Sequence, residues 1–80
     1  MNYRIIETND GEFIPQVFYA GLWYGLRESL LYGFVLYNRE EDINNECKVS
    51  SERSALSVIK AHKRKIANES LSNKRIIEVE

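Results

Sequence analysis

The chain has 80 residues, 44% hydrophobic and 29% charged, with a formal net charge of −1. This balance excludes an intrinsically disordered chain, which pairs low hydrophobicity with high net charge, and predicts one small domain over residues 1–80. Cys47 and His62 are the only cysteine and histidine, which excludes an intrachain disulfide and falls short of the four ligands of a structural zinc site, so no metal or cofactor is expected.

Such a domain has a thin core, supplying about 3–5 kcal/mol. Association into a homodimer is the remaining way to add stability. Met1-Asn2-Tyr3-Arg4 leads into only two apolar residues before Glu7, too few for a signal peptide, and a cytoplasmic location is expected.

"YRIIET" at 3–8 has the composition of a strand. "NDG" at 9–11 tolerates positive φ and predicts a hairpin turn. "EFIPQVFYA" at 12–20 returns as a second strand. Pro15 has no N–H for a ladder and so points to an edge strand or a bulge. Ala20-Gly21 turns the chain again and "LWYGL" at 22–26 forms a third strand. Counting alternation straight through 18–26 puts Phe18, Ala20, Leu22 and Tyr24 on one side, with Tyr19, Gly21, Trp23 and Gly25 on the other.

"RESLLYGFVLYN" at 27–38 reads as a short helix or as another strand. Its aromatics and valine favour a strand over 31–38, with "RES" as the turn before it, and Gly33 weakens a helix by roughly 1 kcal/mol. "NREEDINNE" at 38–46 reads as a polar loop or hairpin tip. A helix follows at about 51–68, capped by Ser50 or Ser51, with Glu52 complementing its dipole. A 100° projection places Ala55, Val58, Ile59, His62 and Ile66 on one arc, flanked by Leu56, with Arg53, Lys60 and Arg64 opposite. "NESLSN" at 68–73 ends the helix, and "KRIIEVE" at 74–80 supplies a last strand. Hairpins followed by a helix predict an α+β domain. Its antiparallel sheet has three to five strands, at about 3–8, 12–20, 22–26, 31–38 and 74–79, packed on one amphipathic helix.

Residues 18–37 hold seven of the nine aromatic residues and three of the four glycines. Arg27, Glu28 and Ser29 fall at the centre of this stretch. A charge there costs roughly 2.5–3.5 kcal/mol in a membrane helix, so no spanning segment and no membrane partner is expected. One helix covers one sheet face, and aromatics lie on both. Some of them are therefore core and others are candidate contacts for a protein partner. The candidates are Tyr19, Trp23, Tyr24, Tyr32 and Tyr37, with Glu40, Glu41 and Asp42 at the rim.

No phosphate loop, nucleotide fingerprint or catalytic motif occurs, and an enzyme is not expected. Cys47 and His62 could form a nucleophile–base pair, yet His62 lies on the core-facing arc and Cys47 reads as a small buried hydrophobe. The acidic Glu40, Glu41 and Asp42 read as solvated. An alternative partner is nucleic acid, with Lys60, Lys63, Arg64, Lys65, Lys74 and Arg75 on phosphates and Trp23 or Tyr24 stacking on bases. The slightly acidic net charge argues against it.

Taken together, "YRIIE", "FIPQ", Trp23, "SSERSALSVIK" and the terminal "RIIEV" resemble small uncharacterised accessory proteins of bacteriophages and prophages. Tyr3, Phe13, Pro15, Gln16, Trp23 and Ala55 carry the resemblance, and the long 27–49 segment departs from it. The resemblance implies a mobile-element origin and transfers no functional residues. The expected function is stoichiometric binding to a host or defence protein, as an inhibitor of the anti-CRISPR-like kind.

Overall fold

The computed structural model describes the backbone of residues 1–73 and the side chains of residues 1–68. Four strands, β1 (Asn2–Glu7), β2 (Phe13–Tyr19), β3 (Leu22–Ser29) and β4 (Gly33–Tyr37), form an antiparallel sheet in chain order. Two helices follow, α1 (Glu40–Glu46) and α2 (Glu52–Asn73). The expected α+β architecture is present, with corrections that bear on the surface.

Turn chemistry sets the register. Between β1 and β2, Thr8 N–H donates to Glu12 O at 2.8 Å, and Glu12 N–H donates to Thr8 Oγ1 at 3.0 Å. Gly11 supplies a φ of 82° in that loop. Between β2 and β3, Ala20 and Gly21 both take positive φ, 53° and 85°. Positive φ at both central residues is the two-residue turn whose twist matches a hairpin. Ala20 pays for this, since a left-handed residue with a Cβ costs about 1–2 kcal/mol. Ala20→Asn, which tolerates that region, is expected to raise unfolding stability by about 0.5–1 kcal/mol in a urea titration.

This turn also resets the alternation. Val17 pairs with Tyr24, Phe18 with Trp23 and Tyr19 with Leu22, and directly opposed residues share a face. Phe18 therefore lies beside Trp23 and not beside Leu22 and Tyr24, while Tyr19 joins Leu22 and Tyr24. Counting straight through the turn inverted Phe18 and Tyr19.

β2 is an interior strand, so Pro15 does not mark an edge. Pairing of β2 with β3 stops at Gln16–Gly25. Three residues earlier, Phe13 exchanges both backbone hydrogen bonds with Val49, at 2.9 and 2.8 Å. Pro15 thus sits where β2 changes partner from β3 to Val49, a position where the missing N–H costs little.

β3 runs through Arg27-Glu28-Ser29, so the expected turn there is displaced by three residues. Ser29 pairs with Gly33 and the loop is Leu30-Leu31-Tyr32. Gly33, at φ 79°, closes it. Residues 40–46 form α1 where a loop was expected. Its three first-turn carboxylates, Glu40, Glu41 and Asp42, complement the helix dipole. Its apolar anchor is Ile43, against Gly25. A seven-residue helix with one such anchor carries no visible periodicity.

Ser51 caps α2, its Oγ accepting the Ser54 N–H at 3.1 Å. The helix continues through Asn73 and does not stop at 68. The "ESLSN" stretch holds no Gly or Pro, and its serines and asparagine cost only a few tenths of a kcal/mol each. The strand expected at 74–79 lies outside the described residues.

The sheet curls around α2. Tyr3 on β1 and Phe34 on β4, from its two edge strands, both meet His62. Tyr3 Oη is 2.7 Å from His62 Nδ1, and the Phe34 ring stands edge-on to the imidazole at 5.0 Å. Pro15, Val17 and Leu26 bury their side chains on this inner side, and Ala55, Ile59 and His62 are buried from the helix. On the outer side Ile14, Gln16 and Cys47 are buried, and α1 lies over Gly25.

Candidate functional site

α1 lies against β3 and β4. Toward β1 and β2 the outer sheet face carries Arg4, Phe18 and Trp23, which the register brings together, with Ile6 farther along β1 opposite Ile14. The Arg4 guanidinium stacks 4.0 Å from the Trp23 ring centroid. Its Nε donates to the Gln16 side-chain oxygen at 2.6 Å, and Gln16 is itself buried. Phe18 meets Trp23 edge-to-face at 5.2 Å. Trp23 is half-buried, and Ile6 and Phe18 are 37% and 36% exposed. The result is a fixed apolar surface with a guanidinium at its centre. An arginine already held on both its ring face and its Nε loses little freedom when a partner binds it.

The other expected contact residues do not share this surface. Tyr19 and Tyr24 lie on the opposite, α2-facing side, 6.5 Å apart between ring centroids, with Tyr19 and Leu22 exposed near the hairpin end. Tyr32 stands at the β3–β4 turn. Tyr37 is half-buried on the outer face, paired with Gly25 near α1. Glu40 and Glu41 are exposed and Asp42 half-buried on the first turn of α1, with Asp42 4.0 Å from Arg39. They form no rim around Trp23.

The basic residues are likewise dispersed. Lys63 lies over the Tyr3 ring at 5.2 Å and Lys65 over the Phe34 ring at 5.6 Å. Those rings belong to opposite edges of the sheet, while Lys60 and Arg64 are exposed. Lys74 and Arg75 lie outside the described residues.

Cys47 and His62 are not brought together: Cys47 packs at Gly25 on the outer face and His62 on the inner one. Burial pushes the Cys47 thiol up to about 11, with Arg27 opposing. It is a protonated core group at neutral pH. An open cleft of about 380 Å³ between β3 and the α1–α2 connection contains the Arg27–Glu46 ion pair, 2.5 Å long. Among the described residues no group of three or more His, Cys, Asp or Glu side chains converges as a metal site. None of the described helices is long and apolar enough to cross a membrane.

Sequence reasoning missed Arg4, Ile6 and Phe18. The signal was present in the hairpin register, which pairs Arg4 with Gln16 and Phe18 with Trp23 once the turns are placed. It also missed Leu30 and Leu31, which a longer β3 carries out to the turn.

The chain matches no family model, no curated protein and no solved structure.

Proposed function

We propose that the protein acts by stoichiometric binding to another protein through its outer sheet face, as a phage-type accessory factor. Inhibition of a host or anti-phage defence complex is the most concrete form of that activity. One observation supports the reading most: Trp23, Arg4 and Phe18 make a preordered surface that lies beyond α1. Trp and Arg are the residue types that dominate binding energy at protein interfaces. The phage attribution rests on the sequence resemblance alone.

Trp23→Ala is expected to weaken partner binding by about 2 kcal/mol or more, roughly thirtyfold in Kd. The measurement is affinity capture of the partner from host lysate, followed by titration with the purified partner. Tyr24→Ala, on the opposite face, serves as the comparison. A folded Trp23→Ala protein that binds its partner as tightly as the parent would eliminate this surface.

A further inference from the structure

Arg4 lies flat across the outer sheet face. From β1 its side chain crosses β2, where Nε donates to the Gln16 oxygen at 2.6 Å, and its guanidinium carbon ends 4.0 Å from the Trp23 ring centroid on β3. A guanidinium carries five N–H donors in one plane. Gln16 takes the one on Nε, and Trp23 covers one side of the plane. The four on Nη1 and Nη2 have no acceptor among the described residues, although Arg4 is exposed. No carboxylate among those residues forms an ion pair with Arg4, whereas Arg27, also on the outer face, is paired with Glu46.

The chemistry of this fork limits what can meet it. Two parallel N–H donors at the end of a fixed plane match the two oxygens of one carboxylate, the bidentate geometry of arginine. The neighbouring side chains are uncharged: Asn2 and Gln16 are polar, and Phe18 and Trp23 are aromatic. Lys63 and Lys65 lie over the rings of Tyr3 and Phe34, on the inner side of the sheet. A nucleic acid is held by several cations along its phosphates, and phosphorylated motifs are read by arginine clusters. A single guanidinium on apolar ground matches a single negative charge.

We propose that the protein partner presents one carboxylate, an Asp or Glu side chain set among apolar residues, which Arg4 receives end-on through Nη1 and Nη2 beside Trp23 and Phe18. This rests on the outer face as the partner surface and names the group that face selects. Gln16 and Trp23 hold the fork in place beforehand, so the pair forms with little further loss of side-chain freedom.

The first test needs no partner. The uniformly ¹⁵N-labelled full chain is titrated with N-acetylphenylalanine, an apolar probe with a free carboxylate, and with its uncharged amide. The Arg4 Nε–H and Trp23 indole N–H signals should move with the carboxylate and not with the amide. Arg4→Gln keeps a side-chain donor for Gln16 and should keep the native circular dichroism spectrum, but its indole signal should no longer respond. The second test titrates the purified, captured partner. Arg4→Gln should weaken its binding by roughly tenfold or more in Kd, the loss of a hydrogen-bonded charge. Equal response to the carboxylate and the amide, or response to neither, would overturn the proposal. So would a short oligothymidylate that moves the same signals at lower concentration, which would make the fork a phosphate contact. If Arg4→Gln binds the partner like the parent while Trp23→Ala does not, the carboxylate falls and the outer face stands. If both variants bind like the parent, the face falls and the carboxylate with it.

Discussion

Leu26→Ala is expected to lower the unfolding free energy by about 2–5 kcal/mol, the range for emptying a leucine-sized site in a packed core. Leu26 is 1% exposed on the inner face of β3, a side it shares with the buried side chains of Pro15 and Val17. Ala55 and Ile59 are buried on the helix that packs there. In a domain this small that loss is comparable with the roughly 3–5 kcal/mol its core supplies. Urea unfolding followed by circular dichroism should show a variant largely unfolded at 37 °C. Leu56→Ala, at an exposed position flanking the same helix arc, should change stability by only about 0.5 kcal/mol. Equal and small effects at both positions would mean that Leu26 is not in the core.

The second large effect is expected at Gly25, where close approach rather than conformation demands a glycine. An added Cβ would lie 2.8 Å from Cys47 Sγ and 2.9 Å from Ile43 Cγ1, closer than carbon atoms pack. Gly25→Ala must therefore push α1 and the start of the α1–α2 connection off the outer face, costing about 1–3 kcal/mol. Two readings separate this from a generic loss of stability. The native Cys47 thiol, buried and raised to about 11, should react slowly with a maleimide at pH 7.5. In Gly25→Ala, at urea concentrations that leave β-sheet circular dichroism intact, the reaction should be at least tenfold faster, about 1.4 kcal/mol in local opening. A protein with parental stability and parental thiol reactivity would show that α1 does not seat on Gly25.

The inner face was the legible part of this protein. Ala55, Ile59 and His62 repeat at helical spacing, so their common burial on α2 follows from periodicity. The turn residues Asn9-Asp10-Gly11 and Ala20-Gly21 announced their hairpins through the φ values that glycine permits. The outer face was harder to read because it depends on register, and register depends on where each turn begins. A two-residue turn at Ala20-Gly21 pairs Phe18 with Trp23, so alternation counted straight through it puts Phe18 on the wrong side of the sheet. Displacing the next turn from residues 27–29 to residues 30–32 converts Leu30 and Leu31 from turn flank and strand into the most exposed large hydrophobic side chains among the described residues. α1 was hidden for a different reason. Its sequence is polar throughout apart from Ile43, and only a glycine on a neighbouring strand, Gly25, makes room for that one anchor.

By itself the sequence determined the α+β class, the hairpin order, the capped helix with its buried arc, and the exclusion of a membrane span at 18–37. These follow from local chemistry: φ preference, side-chain period and the cost of a central charge. Only the tertiary structure decided that Arg4 stacks on Trp23, that α1 stops short of that surface, and that Leu30-Leu31-Tyr32 projects alone. Those arrangements join residues far apart in sequence, and their geometry depends on the accumulated twist and register of four strands, which no local pattern encodes.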